Sequence, residues 1–238
     1  FLFLNLSSRT DWVSNLVTEN RSLTYPGASL SFLPTAAFTG LKSQGGLNYL
    51  KLRGSYGTIG NENIDDYATD ATLGIYQSYV YADSTFDGTG PDGLANPSLQ
   101  WETSVQQNLG VDLGFFSNRL NITAEYYVNT TEDMLLRVTL PRTAGVASSP
   151  FQNTGSVRNK GFELMVNYRK SEGDFNYSVT ANFTTVDNEV LQLGASGEPL
   201  YGGQIEGTAN STKTVVGGEI GSFYGFETDG IYKSVAEI

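Results

Sequence analysis

Three glutamates lie in stretches whose alternating pattern is typical of β-strands, and paired carboxylates can do acid–base chemistry. The candidates are Glu102, Glu125 and Glu163, because the sequence has no histidine or cysteine to act as a base or nucleophile. Two such carboxyl groups facing each other would suit hydrolysis of a glycosidic bond. The alternative, which the pattern favours, is that all three line a polar surface. We therefore predict no catalytic residue and no enzyme activity.

A second acidic group occurs in the segment DSTFDGTGPDG, residues 83–93. Asp83, Asp87 and Asp92 are spaced among glycines there and could hold Ca²⁺ through carboxylate oxygens. The spacing fits neither the EF-hand loop nor a repeated nonapeptide. An acidic surface loop explains the segment better, so we predict no metal site and no cofactor.

Aromatic residues cluster in the long polar stretch 58–100, where Tyr67 is the first of five. Rings with Asn and Asp neighbours can stack on sugar rings, while the neighbours bond the hydroxyl groups. The alternative is that these rings pack one loop against another. The residues that we predict to contact a substrate are Tyr76, Tyr79, Tyr81 and Phe86.

The composition limits the class of protein. The 238 residues carry 25 acidic and 14 basic side chains, a net charge of −11, which disfavours binding of nucleic acid. The 12 % of aromatic residues and the 27 glycines favour an all-β fold. The first residues, FLFLNLSSRT, lack the basic start of a signal peptide and are typical of a strand. We expect the chain to be a fragment of a longer protein.

Apolar and polar residues alternate with a period of two in segment after segment. In GVDLGF, residues 110–115, Val111 and Leu113 alternate with Asp112 and Gly114. The segments LNYLKLRGSYG, RLNITAEYYVN, GFELMVNYRK and FNYSVTANF behave in the same way. This period is that of a strand with one apolar face, and not that of a helix.

The connections between these segments alternate between short and long, which is the pattern of an antiparallel up-and-down transmembrane β-barrel. Short turns are predicted at 117–118 and 171–174, and long polar loops at 58–100 and 141–152. If strands simply run up and down, all long loops lie at one end. The eight predicted strands are approximately 1–8, 23–33, 47–57, 99–116, 119–140, 153–170, 174–190 and 213–226.

The length of the strands supports a membrane location. The stretch from Trp101 to Phe115 would span roughly 46 Å, and a tilt of about 40° leaves a rise of about 35 Å. Such a rise covers an apolar band of about 25 Å and two interfaces, with Trp101 and Phe115 in aromatic girdles. We expect Leu109, Val111, Leu113, Ile122, Leu164 and Val166 to face lipid, and Asn108, Asp112, Thr123 and Asn167 to face inward. The alternative is a soluble β-sandwich that binds or cleaves glycans, because both folds alternate alike.

Four stretches, in order, resemble the SusC/RagA branch of TonB-dependent outer-membrane transporters. They are LNYLKLRGSYGTIGN at 47–61, NPSLQWETSVQQNLGVDLGFFSNRLNITAEYYVNTTEDMLL at 96–136, NTGSVRNKGFEL at 153–164 and GSFYGFETDGIY at 221–232. The resemblance extends over most of the chain from about residue 23.

This resemblance implies import of glycans or peptides across the outer membrane. The partners it implies are outer-membrane lipid, a SusD-like surface lipoprotein and the TonB complex, which is reached through a plug domain. The family barrel has about 22 strands, so residues 1–238 would form about a third of the wall. By this resemblance, the plug domain and the C-terminal end of the barrel are absent from these residues.

Overall fold

The computed structural model describes residues 1–43, 46–91, 94–137, 143, 150–171, 173–194, 197–204, 210–225, 227 and 230. Within these ranges the chain is almost entirely β-structure. None of the helices there is long and apolar enough to cross a membrane. The strands are β1 (Leu2–Trp12), β2 (Ser22–Phe32), β3 (Leu47–Asn61), β4 (Leu73–Tyr81), β5 (Ser84–Pro91), β6 (Glu102–Phe115), β7 (Leu120–Arg137), β8 (Phe151–Lys170), β9 (Tyr177–Leu193), β10 (Leu200–Gln204), β11 (Asn210–Thr214) and β12 (Ser222–Phe223); the helices are α1 (Pro34–Ala37) and two short 3₁₀ turns, Thr18–Asn20 and Thr39–Leu41.

Seven long strands form one antiparallel sheet in the order β1-β2-β3-β6-β7-β8-β9. Strands next to each other in this order follow one another along the chain, except that β4 and β5 are inserted between β3 and β6. The prediction of an up-and-down antiparallel sheet is therefore confirmed. The predicted strand lengths are also close, since β6 and β7 run for 14 and 18 residues.

The register gives the sheet an apolar face and a polar face. Residues directly opposite one another point to the same side of a sheet, and Val111 is opposite both Leu52 and Ala124. The apolar face, so defined, comprises Leu2, Leu4, Leu6, Ala28, Leu30, Phe32, Leu50, Leu52, Gly54, Tyr56, Leu109, Val111, Leu113, Phe115, Leu120, Ile122, Ala124, Tyr126, Phe162, Leu164, Val166, Tyr168, Tyr177, Val179, Ala181 and Phe183. The polar face includes Ser29, Ser31, Lys51, Arg53, Ser55, Asn108, Asp112, Thr123, Glu125, Glu163, Asn167, Thr180 and Asn182.

The alternative of a soluble β-sandwich is wrong. A sandwich buries one face of a sheet against a second sheet. Here the strands that the structure describes form a single large layer, with two small sheets elsewhere. Apolar-face side chains remain open, as the 67 % exposure of Leu109 and the 57 % exposure of Phe183 demonstrate.

The two shortest connections between strands of the large sheet lie at one of its ends. Phe116, Ser117 and Asn118 turn with positive φ between β6 and β7, and the Asn48 side chain accepts a hydrogen bond from the Ser117 N–H at 2.6 Å. At the same end, β8 ends at Lys170 and β9 begins at Tyr177. We name this edge the turn end and the opposite edge the loop end.

The described residues of the predicted eighth strand, 213–225, do not join the wall. They contribute to a separate sheet, in which β11 lies between β10 and β12. Gly217 and Gly221 have φ values of +79° and +69°, which break an extended strand. The Val190 N–H donates to the Gly218 carbonyl at 2.9 Å, so this segment instead lies against the loop end of β9.

Candidate functional site

A β-hairpin within the predicted loop 58–100 carries the predicted aromatic residues. Among the described residues β4 and β5 pair only with each other, and Ala82 and Asp83 turn with φ values of +49° and +61°. Two positive φ values in a two-residue connection are typical of a type I′ turn. The hairpin is thus a separate small sheet, inserted at the loop end between β3 and β6.

Three rings form a contiguous patch on one face of this hairpin. Tyr79 and Phe86 lie directly opposite each other and stack, with ring centroids 5.7 Å apart and planes at 23°. The Tyr81 ring meets the edge of Phe86 at 6.5 Å. Tyr79 and Tyr81 are 58 % and 69 % exposed. The structure therefore brings three of the four predicted contact residues together, and the side chain of Tyr76 lies outside the described residues.

Tyr67 lies at a different place in the loops. It lines a polar cleft of about 680 Å³ with residues of the β1–β2 connection, including Thr18 and Glu19. Its φ of +62° is uncommon for a bulky residue. Within the described ranges it makes no ring contact with the hairpin, so the five aromatic residues do not form one group.

The hairpin rises from a loop end that is held together by a small core. Leu16, Leu99 and Trp101 are buried there, and Trp101 is only 6 % exposed. The Trp101 indole N–H donates to the Asn20 carbonyl at 3.0 Å, and Asn20 Nδ2 donates to the Leu99 carbonyl at 2.8 Å. The prediction that Trp101 belongs to an aromatic girdle is wrong, because loop residues cover its ring and bury it.

Asparagine side chains join the loops to the strands, and the sequence analysis missed this role. Asn153 Nδ2 donates to the carbonyls of Gln100 and Asp133, both at 2.8 Å, and its Oδ1 accepts from the Gln100 N–H at 2.9 Å. Asn96 Nδ2 donates to the Phe151 carbonyl at 2.8 Å. An asparagine at the start of a strand was the available signal, since its amide can replace ladder hydrogen bonds.

The three candidate glutamates lie at two places in the large sheet, Glu102 at the loop end and the other two on the polar face. Glu102 accepts hydrogen bonds from Asn61 Nδ2 at 3.3 Å and from the Leu135 N–H at 3.2 Å. Glu125 lies 2.7 Å from Arg53 in an ion pair. Glu163 is directly opposite Glu125 on the polar face. Two of the three carboxylates thus have structural partners, as the polar-surface interpretation predicts.

The calcium alternative gains no support from the geometry. In the part of the chain that the structure describes, no three acidic side chains come together as metal ligands. Asp83 forms the tip of the hairpin, and Asp87 lies opposite Ser78 within it. Asp92 lies outside the described residues.

The chain matches proteins of one family over nearly its whole length. The family model described as "TonB dependent receptor-like, beta-barrel" matches residues 2–229. TonB-dependent receptor P3 of Formosa agariphila is 36 % identical over 234 residues, which are 95 % of this chain and 23 % of that protein. TonB-dependent receptor SusC of Bacteroides thetaiotaomicron is 29 % identical over 239 residues, 95 % of this chain and 23 % of SusC.

Solved structures agree with these relatives. A chain of the RagAB peptide transporter superposes with a TM-score of 0.79 at 30 % identity, covering 93 % of this chain and 23 % of that one. An "open-open" state of the RagAB peptide importer gives a TM-score of 0.77. The chain spans about a quarter of the length of the proteins it matches. The chain belongs to the TonB-dependent receptor β-barrel family, whose members are outer-membrane receptors and transporters and not enzymes.

Proposed function

We propose that this chain forms part of the wall of an outer-membrane transporter that imports large nutrients with energy from TonB. The observation that carries this proposal is a charge-free band on the apolar face of β8. Lys160 and Lys170 bound the band, and ten residues at ~3.3 Å, tilted by about 40°, rise about 25 Å. This height matches the apolar band of outer-membrane barrels. The apolar-face residues of β8 within the band are Phe162, Leu164, Val166 and Tyr168.

Charged side chains mark the loop-end boundary of this band. Lys160 Nζ lies 3.0 Å from Asp187, and Arg158 lies 2.6 Å from Glu189, both as directly opposed pairs of β8 and β9. Ion pairs are costly in hydrocarbon but are well solvated at a membrane surface. Their position just beyond Phe162 supports a membrane interface at this level.

In this proposal the wall is passive, and its polar face surrounds a plug domain. We propose that the plug and the segment that contacts TonB belong to other parts of the full-length protein. The polar face suits such contact, because Lys51, Asn108 and Asn167 offer hydrogen-bonding groups to a packed domain.

We further propose that the cargo is a glycan or a peptide and that a surface lipoprotein covers the loop end. The matched proteins include SusC and a chain named as part of a peptide transporter. The exposed rings of Tyr79, Tyr81 and Phe86 stand at the loop end of the wall, where cargo would arrive. Aromatic rings contact both sugar faces and peptide side chains.

Assays of cell growth and of nutrient uptake, both with the full-length protein, test this function. Deletion of its gene should abolish growth on one polysaccharide or peptide source at limiting concentration, and uptake should stop when TonB is removed. Affinity purification from the outer membrane should recover a lipoprotein. Uptake that persists without TonB would contradict the proposal, and so would unchanged growth on every glycan and peptide offered.

A further inference from the structure

The apolar face contains a notch of about 420 Å³ at Gly54. We call it the Gly54 notch. Its volume falls in the range of ~300–1,000 Å³ that is typical of sites for small molecules. Its lining lies on β2, β3, β6 and β7. The apolar-face residues of the lining are Leu30, Gly54, Tyr56, Gln107, Leu109, Tyr126 and Val128, and Ser55 and Asn108 of the polar face complete it.

The notch exists because a glycine interrupts a row of large apolar side chains. Leu30, Gly54, Leu109 and Tyr126 are directly opposed on four neighbouring strands. A Cβ atom at Gly54 would lie 3.3 Å from Leu109 Cδ2, so a larger side chain there would fill the space. The neighbours remain open, with Leu109 67 % and Leu30 49 % exposed.

The notch combines an aliphatic floor with unpaired polar groups. Tyr56, Tyr126 and Gln107 contribute hydroxyl and amide groups. Their side chains make no hydrogen bond with any other residue that the structure describes. Tyr56 and Gln107 belong to the register row that ends in the Lys160–Asp187 ion pair. The notch therefore lies at the loop-end boundary of the apolar band, where hydrocarbon gives way to polar headgroups.

We propose that the Gly54 notch binds one acyl chain of a membrane lipid, in the leaflet next to the long loops. The proposal rests on the membrane location in the proposed function. The notch opens on the apolar face, which cargo in the barrel interior does not reach. The leucines and Val128 receive the hydrocarbon, while Tyr56, Tyr126 and Gln107 can donate hydrogen bonds to the ester carbonyls near the headgroup.

Photolabelling of the full-length receptor tests this binding. The protein is reconstituted in phosphatidylethanolamine and phosphatidylglycerol vesicles that contain a phosphatidylcholine with a diazirine on its acyl chain. We expect labelling at Leu109 and Tyr126 to saturate at a low fraction of this lipid. Gly54→Leu should lower this labelling about tenfold, the equivalent of ~1.4 kcal/mol. The matched control is Gly57→Leu on the polar face, where a new Cβ has open space.

The outcomes separate this proposal from the membrane assignment. Leu164 and Val166, in the charge-free band away from the notch, report ordinary lipid contact. If Leu164 and Val166 are labelled, but labelling at Leu109 rises linearly with the fraction of this lipid and does not saturate, the notch is not a binding site. The membrane location would then still stand. Labelling of none of them would overturn the membrane location itself. Because the wild-type titration needs no variant, the test holds even if Gly54→Leu fails to insert.

Discussion

The guanidinium of Arg53 on β3 crosses β6 and lies 2.7 Å from the Glu125 carboxylate on β7. Gly110 is the residue between them, directly opposite both. A Cβ atom at Gly110 would lie 2.7 Å from Arg53 Cζ, so only glycine leaves room for this path. Asp112 adds a second, longer contact to Arg53 at 3.5 Å. One arginine thus ties three strands together across the polar face.

Removal of the Glu125 charge should weaken the wall. Arg53 and Glu125 are 30 % and 23 % exposed, between the limits of surface and buried pairs. We expect Glu125→Gln to lower the free energy of unfolding by about 1–2 kcal/mol. Urea unfolding of the full-length receptor in vesicles measures this. The control is Glu163→Gln, which removes a like charge directly opposite Glu125 and should be neutral or stabilising. An equal loss of unfolding free energy in both variants would contradict a stabilising role for the Arg53–Glu125 ion pair.

A positive charge should be tolerated on only one face of β6. Val111 lies on the apolar face and Asn108 on the polar face. We expect Val111→Arg to cost about 2–4 kcal/mol near mid-membrane, whereas Asn108→Arg inserts nearly as well as wild type. The amount of heat-modifiable barrel in the outer membrane measures insertion. Equal insertion of the two variants would count against the lipid-facing assignment.

The stacked rings of the hairpin should contribute to cargo affinity. Loss of one ring contact is expected to cost about 1 kcal/mol, or roughly fivefold in Kd. Tyr79→Ala and Phe86→Ala should therefore weaken binding of the imported glycan or peptide. Val80 is 74 % exposed and, one residue along β4, points to the opposite face of the hairpin. If Val80→Ala weakened binding as much, the ring patch would not be the contact surface.

Gly161 should tolerate no side chain. A Cβ atom there would collide with the Thr185 carbonyl and lie 2.6 Å from the Tyr127 hydroxyl oxygen. Overpacking of this kind costs about 1–3 kcal/mol, so Gly161→Ala should lower the urea midpoint of the full-length barrel. Gly57→Ala is the matched change, since its Cβ would meet nothing within 4 Å. An unchanged urea midpoint of Gly161→Ala would contradict this expectation, because β7, β8 and β9 would then accommodate the added methyl group without a loss of stability.

Residues 1–238 should not behave as a soluble domain by themselves. β1 and β9 lie at the edges of the large sheet, and edge strands expose unpaired backbone groups. The apolar face would also meet water, with Leu6 already 70 % exposed. We expect aggregation unless detergent is present. Size-exclusion chromatography without detergent checks this, and a sharp monomer peak with cooperative thermal unfolding would contradict it.

Local alternation was enough to predict the wall but not its loops. Val111 and Asp112 have opposite environments, and the period of two predicts this directly. Strand length places Trp101 at the lipid interface, but it carries no information about a loop that returns to cover this side chain. The stacking of Tyr79 on Phe86 depends on the turn at Ala82-Asp83, which lacks the Asn-Gly or Asp-Gly pair that usually reveals a hairpin. The crossing of Arg53 to Glu125 depends on the register of three strands, which no single segment contains.

The independence of the β4–β5 hairpin has an evolutionary consequence. In the part of the chain that the structure describes, none of its backbone pairing is shared with the large sheet, because β4 and β5 pair only with each other there. Insertions in this element, its deletion or its exchange would leave all backbone hydrogen bonds between β3 and β6 intact. A lineage can therefore replace this one segment of the chain, while selection for folding continues to act on an unaltered wall.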